Sequence, residues 1–502
     1  MLPPLIRRVG GDSKRRSRQR GFTMAFVAIT MVAILSMAAL SIDIGTLYEA
    51  KAEAQRAADA GALAAAQVIS LSGITGDPAN SARSWQPACG GPSSLATLAA
   101  TSVAQQNLIG GSAPSTVKVY YGTSSGVGTI PDCSSLGAAF GVNPVVEVYV
   151  QQAKLPTFFA KIFSLIPGGT FSNSGVSATA AAEAFNPSGS SAVAGSMVPV
   201  QPRCVKPWIV PNQDPGHGGG SALFVDPTNG SIQNTGISSS GVIGETFSLA
   251  ADCSGRSGFG HAQPCTITEP PTAHGTSVPT TLDYVPGQVL SSSIAVAANS
   301  KITACSEANR NDYTKAIAGC DQTTIYACGQ SLANTVDLTE NPGAPRNDSA
   351  NAAECLMNAD GLGPDQGQDV LAPDPSPPPY TYPFQINAGA KSLLVTAGGI
   401  ASGSQISTSP SIVSLPIYDN SAATGTVITS SSGGAIPVTI VGFLQVFVNS
   451  INNVGGGNTP VIAVTVMNVA GCGNGVGSGT TPLYGTSPVP VRLITLPVAT
   501  SP

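Results

Sequence analysis

The chain has 502 residues, of which 10% are charged, against about 25% in ordinary soluble domains. Gly (57) and Pro (40) are enriched while 42% of residues are hydrophobic, a balance that excludes a largely disordered chain and argues against a cytosolic α/β enzyme. The formal net charge of −5 is uneven: residues 1–20 hold Arg7, Arg8, Lys14, Arg15, Arg16, Arg18 and Arg20 against Asp12 alone. The remainder is acidic and offers no electrostatic footprint for nucleic acid.

After the basic tail (1–20) come 22 uncharged residues, GFTMAFVAITMVAILSMAALSI, at 21–42. As a helix they extend about 33 Å, enough for a hydrocarbon core of about 30 Å. Basic residues before the span and an acidic body after it predict a single-pass membrane protein. Its N-terminus is cytoplasmic and the chain from Asp43 onward is periplasmic or extracellular. Three fates stay open. Signal peptidase could cut around Ala38-Ala39, prepilin-type processing could fall between Gly21 and Phe22, or the span could remain as an anchor. The length of the span, and Phe26 where a pilin carries Glu, favour the uncleaved anchor.

Residues 43–70 read as an Ala-rich extracytoplasmic helix continuous with the span, from about Phe22 to Ser70. Leu47, Ala54, Ala58, Gly61, Ala65 and Val68 form a narrow seam of small residues at coiled-coil spacing. Such a seam packs either on its own domain, the favoured reading, or against another subunit.

Residues 20–67 resemble the N-terminal segment of the TadE/TadG-like family of Flp pilus (tight adherence) assembly proteins. The resemblance rests on the basic tail, Arg20-Gly21, the apolar span, Asp43-Ile44-Gly45, Leu47-Tyr48 and the run Gln55-Arg56-Ala57-Ala58-Asp59-Ala60-Gly61-Ala62-Leu63-Ala64-Ala65-Ala66. Gly21, Asp43, Gly45, Tyr48 and Asp59 are the motif positions, with a structural role. The resemblance implies a membrane-anchored component of a pilus or secretion apparatus whose partners are the membrane and other subunits. The Asp-x-Ser-x-Ser metal motif of some relatives is not found here, so metal-dependent adhesion is not carried over.

A turn-rich link then leads into an α+β domain at 71–186: helix Leu95–Leu108, strands Val117–Tyr121 and Val145–Val150, a short helix from Pro156 and strand Val176–Phe185. Residues 187–362 read as a Cys-rich β/loop region with strands at Trp208–Val210, Ala222–Val225, Ile232–Ile237 and Thr246–Ala250. A Pro-rich linker follows at 363–383. The β-rich, sandwich-like domain at 384–502 takes Ser392–Thr396, Ile412–Ile417, Gly425–Ile428, Ile436–Val448, Val461–Val466 and Val491–Leu496 as strands.

Ten cysteines, all beyond the span, suit an oxidising compartment, and Cys253, Cys265, Cys305, Cys320, Cys328 and Cys355 are candidates for a disulfide cluster. Cys253, His261 and Cys265 could hold a metal on paper, but a disulfide beside a surface histidine is the better reading. Gly122-Thr123-Ser124-Ser125-Gly126 and His217-Gly218-Gly219-Gly220 match pieces of an esterase, in inverted order and without the strand-turn-helix setting. Asp360, Asp365 and Asp369 lack EF-hand spacing. The chain therefore reads as a structural protein rather than an enzyme, with no cofactor, metal or small-molecule substrate. A secreted or surface-exposed adhesin is the alternative.

Overall fold

The computed structural model of the chain describes residues 16–74, 85–123, 126–155, 159, 175–187, 200–218, 221–236, 241–252, 265, 267, 269–274, 281–290, 294, 296, 302–308, 311–327, 334–340, 348–372, 385–429, 432–454, 459–472, 483–485 and 487–496. Two compact units emerge: Met1–Ala58 with Ala104–Val117 and Tyr149–Thr179, and Asp59–Val103 with Lys118–Val148 and Ala180–Pro502. The helix Arg16–Ser70 contributes residues to both. Its 55 residues contain no proline and are dominated by Ala, Leu, Ile and Met, so nothing in them interrupts a rise of about 80 Å.

In the first unit the helix is fastened by hydrogen bonds from its polar residues. Lys51 Nζ donates to Ser177 O, Gln55 Nε2 to Thr179 O (3.3 Å), and Glu53 Oε2 accepts from Gly110 N (2.7 Å). Ser115 and Gln152 cross-link two further segments through Ser115 N to Gln152 Oε1 (2.9 Å).

Among the described residues there are two larger sheets, of five and seven strands. One has the order Val491–Ile494, Val176–Ala184, Pro144–Gln152, Thr116–Thr123, Gly126–Val127. Trp85 and Tyr121 set their rings edge-on to Phe140 near it, and Cys89–Cys133 closes the adjoining loop.

The other sheet closes on itself. Trp208–Pro211 lies parallel to Ile412–Tyr418, with Val210 opposite Ile417. The chain of pairings runs on antiparallel through Ile440–Val454 and Thr459–Gly471 to Thr246–Ala251, whose Leu249 faces Leu282 of the parallel strand Thr281–Pro286. That strand pairs back with Trp208–Pro211, Val285 opposite Ile209, and the ring of six is complete, with Ala273–His274 added at one side. Closure removes the free edges that invite mispairing.

Alternation along these strands feeds two cores: Trp208, Val210, Tyr284, Ile417 and Leu444 enter one, and Ile209, Val285, Tyr418 and Phe443 the other. Helices Asp312–Ala318 and Asp348–Met357 line the first core. Cys305–Cys355 joins the second of them to the turn Ala304–Glu307, while Cys204–Cys320 ties the chain before Trp208 to the end of the first.

Several sequence expectations change. Strands of 187–362 and 384–502 interleave in one ring, and the sandwich-like arrangement gives way to a closed sheet. Val491–Ile494 leaves the C-terminal strands for the first sheet, where it pairs with Ala181–Ala184. Ser392–Thr396 is no strand: Leu393–Thr396 forms one helical turn, closed by Thr396 N to Ser392 O (2.9 Å) and ended at Gly398 with φ +76°. Among the described residues, Ala222–Val225, 232–236 and Gly425–Ile428 are not strands, the first two making isolated bridges only. Ile436–Val448 divides at Thr439 into Ala435–Val438 and the much longer Ile440–Val454. The basic tail up to Arg15, most of the helix expected from Pro156 and residues 373–383 of the Pro-rich stretch lie outside the described residues.

Candidate functional site

The first half of the long helix carries large apolar side chains that are exposed. Met24, Phe26, Val27, Ile29, Met31, Val32, Ile34, Leu35, Met37 and Leu40 point to every side of the helix and all are exposed. Its few hydroxyls turn inward to the backbone, Thr30 Oγ1 to Phe26 O (3.0 Å) and Ser36 Oγ to Val32 O (2.8 Å), as polar groups in hydrocarbon must. A helix that is apolar all round and unpacked has the chemistry of a bilayer span.

At the end of the span the surroundings switch. Asp43 is 2% exposed, and its Oδ2 accepts from Phe159 N at 3.0 Å. The sequence places this carboxylate at a membrane boundary; the structure adds that it is buried and fixes the chain at Phe159. Two residues on, a Cβ at Gly45 would meet nothing within 4 Å, and Tyr48 is 74% exposed, so neither packs within the chain. Leu47 and Asp59 are half-buried.

The small-residue seam is where the helix packs. Ala54, Ala58, Gly61 and Ala65 are all buried within the chain, together with Ala57, Ala62, Ala66, Val68 and Ile69. In the second unit the helix end is capped from the closed sheet. Asn468 Nδ2 donates to Ser70 O (2.6 Å) and to Gln445 Oε1 (2.7 Å), and Gln445 Nε2 reaches Ser487 Oγ (2.9 Å). Asn186 Nδ2 similarly joins Ile74 O to Val469 O. A terminal carbonyl left over by the helix thus finds a buried donor.

Of the cysteine candidates, Cys305 joins Cys355 and Cys320 joins Cys204. Cys265 is also disulfide-bonded, so its sulfur is no thiolate ligand; Cys253, His261 and Cys328 lie outside the described residues. Strand Thr116–Thr123 turns back into the antiparallel Gly126–Val127, so the Gly122–Gly126 stretch leads into no helix; Ser124 and Ser125 lie outside the described residues. Asp360 pairs with Lys391, whereas Asp369 accepts from Gly389 N (2.9 Å) and Ser409 Oγ (2.6 Å). Asp360 and Asp369 are thus engaged with different partners.

Two titratable groupings escape a reading of the sequence. Asp214, His217 and Glu245 bring their ligand atoms within 4.8 Å of one another. His217 Nδ1 is 2.8 Å from Asp214 Oδ2 and 3.9 Å from Glu245 Oε2. Burial, reinforced by the charge of Asp214, pushes the Glu245 carboxyl strongly up. Elsewhere Asp283 Oδ2 meets His274 Nε2 at 2.5 Å, and burial with the nearby Asp283 and Glu269 pushes Asp252 up to about 7. No spacing motif announces either group, since each joins residues from different turns and strands.

The described residues thus contain one helix long and apolar enough to cross a membrane, leading into a β-rich body. Residues 21–68, nearly the whole of that helix, match the family described as "Putative Flp pilus-assembly TadE/G-like". No curated protein and no solved structure matches the chain.

Proposed function

We propose that the chain is a membrane-anchored, extracytoplasmic component of Flp/Tad-type pilus or surface-structure assembly, with a structural rather than catalytic role. The observation that carries this reading is the coincidence of the TadE/G-like segment, 21–68, with one helix that is apolar and exposed at 23–42 and buries one face in its own protein from Ala54 to Ile69. The span holds the protein in the inner membrane with the basic tail in the cytoplasm. The β-rich body then presents binding surface to other pilus subunits on the far side. Because the Ala-rich seam is buried within the chain, partners would be met by the body and by exposed positions such as Tyr48 rather than by Ala58 or Gly61.

The test is the intact mass and N-terminal sequence of native protein from carbonate-washed membranes. A chain that keeps Arg7 to Arg20 and resists carbonate supports the anchored assembly component. A start at Phe22 makes it a processed, pilin-like subunit. A start near Ala39 with release into the soluble fraction overturns the anchor and favours the adhesin.

A further inference from the structure

We propose that Asp214, His217 and Glu245 form a binding site for one divalent transition-metal ion, of the Zn2+ class, coordinated by one imidazole and two carboxylates. Glu245 carries the argument. It is 8% exposed, and both carboxylate oxygens are fully enclosed without a well-formed hydrogen bond, facing only the Asp214 carboxylate and the Gly216 N–H. A buried polar atom without a partner is costly, and two oxygens on one side chain more so. They point to the place where Asp214 and His217 already converge, with His217 Nδ1 3.9 Å from Oε2.

The frame around this point is rigid. Glu245 immediately precedes the strand Thr246–Ala251, and its carbonyl accepts from Val466 N (2.8 Å) of the closed sheet. Asp214 is completely buried; its N–H bonds Ala222 O (2.9 Å) and its Oδ1 accepts from Gly216 N (3.0 Å). Asn234 Nδ2 lies 3.4 Å from Asp214 Oδ2, an outer contact that orients the carboxylate. Gly216 is required beside them, because a Cβ there would collide with the Glu245 carboxylate.

A tetrahedral Zn2+ at about 2.0–2.2 Å from each donor sets the donors about 3.3–3.5 Å apart. The observed separations, 2.8 and 3.9 Å with none beyond 4.8 Å, differ from that spacing by about 0.5 to 1.5 Å. An imidazole nitrogen in the set favours Zn2+ over Mg2+ or Ca2+, which take oxygen. Three protein ligands leave a fourth position for water, and the partly exposed ring of His217 gives access from solvent. The ion would staple the turn at 214–217 to the closed sheet. The competing arrangement is a single proton shared between Glu245 and Asp214.

The untagged full-length chain in detergent, freed of metal with EDTA and dialysed, is titrated with ZnCl2 by calorimetry, with bound zinc counted by mass spectrometry. One Zn2+ per chain is expected, together with a higher Tm on binding. Glu245→Gln, which keeps the shape of the side chain, and His217→Ala should each weaken binding at least about tenfold and abolish the Tm rise. Millimolar Ca2+ should not displace the ion. Absence of bound zinc in the parent chain, undiminished binding in Glu245→Gln, or displacement by Ca2+ would overturn the proposal. A parent chain indifferent to zinc alongside a more stable Glu245→Gln would point to the shared proton instead.

Discussion

The two halves of the long helix meet their surroundings with opposite side chains. Between Met24 and Leu40 the large apolar residues are exposed; between Ala54 and Ile69 the buried residues are mostly alanine. Both are good helix formers, so propensity does not separate them. What separates them is the neighbour each admits. Large side chains present apolar area to lipid, whereas alanine lets protein backbone come close enough for hydrogen bonds such as Gln55 Nε2 to Thr179 O. A helix can thus be continuous in backbone while changing solvent halfway along, with the buried carboxylate of Asp43 near the change.

Substitutions that exchange the two chemistries sharpen this contrast. The largest expected effect is Ile34→Arg, which places a charge mid-span at about 3 kcal/mol against insertion and should lower the carbonate-resistant fraction severalfold. Retention at the parent level would mean that the exposed half is not in a bilayer. Ala62→Leu adds three carbons at a fully buried position and should destabilise by up to about 3 kcal/mol, read as a lower denaturant midpoint. If the midpoint does not move, the seam is looser than its burial indicates.

Asn468→Ala removes the donor to Ser70 O and Gln445 Oε1, and should cost about 1–2 kcal/mol in the same titration. Leu35→Ala is the smallest. It should leave the denaturant midpoint of the body unchanged within about 0.5 kcal/mol, since that side chain is exposed. A shift as large as that of Ala62→Leu would place Leu35 in a protein core and break the contrast.

The helix was legible because its signals are local: an uncharged run, then alanines at regular spacing. The strands Ile412–Tyr418 and Thr459–Gly471 were legible for the same reason, being β-branched and bounded by turns. Closure of the sheet was not, because it depends on Ile417 lying beside Val210 in parallel, and a parallel pair leaves no hairpin signature. Leu393–Thr396 has a strand's residue types, but hydrogen bonds from Thr396 N and Ala397 N back four residues complete a turn first. The helix Asp348–Met357 was missed among Asn and Ala with few large apolar residues, its burial coming from the core it covers. Glu245 stands 28 positions beyond His217, a separation that only the folded sheet removes.

The pairing of Val491–Ile494 with Val176–Ala184 has a consequence in time. Arg492 Nε meets the buried Glu183 Oε1 at 2.6 Å across 309 positions of chain, and its guanidinium lies over the Phe185 ring. A polypeptide made from its N-terminus has the earlier strand ready long before the later one exists. Until the last residues arrive, the Val176–Ala184 strand keeps an open edge and Glu183 lacks its cation. Contacts of such separation fold slowly, so the protein needs its whole length before its first sheet is finished. A product halted before Val491 should accordingly be aggregation-prone and short-lived, which makes completion of synthesis itself a checkpoint on which copies survive.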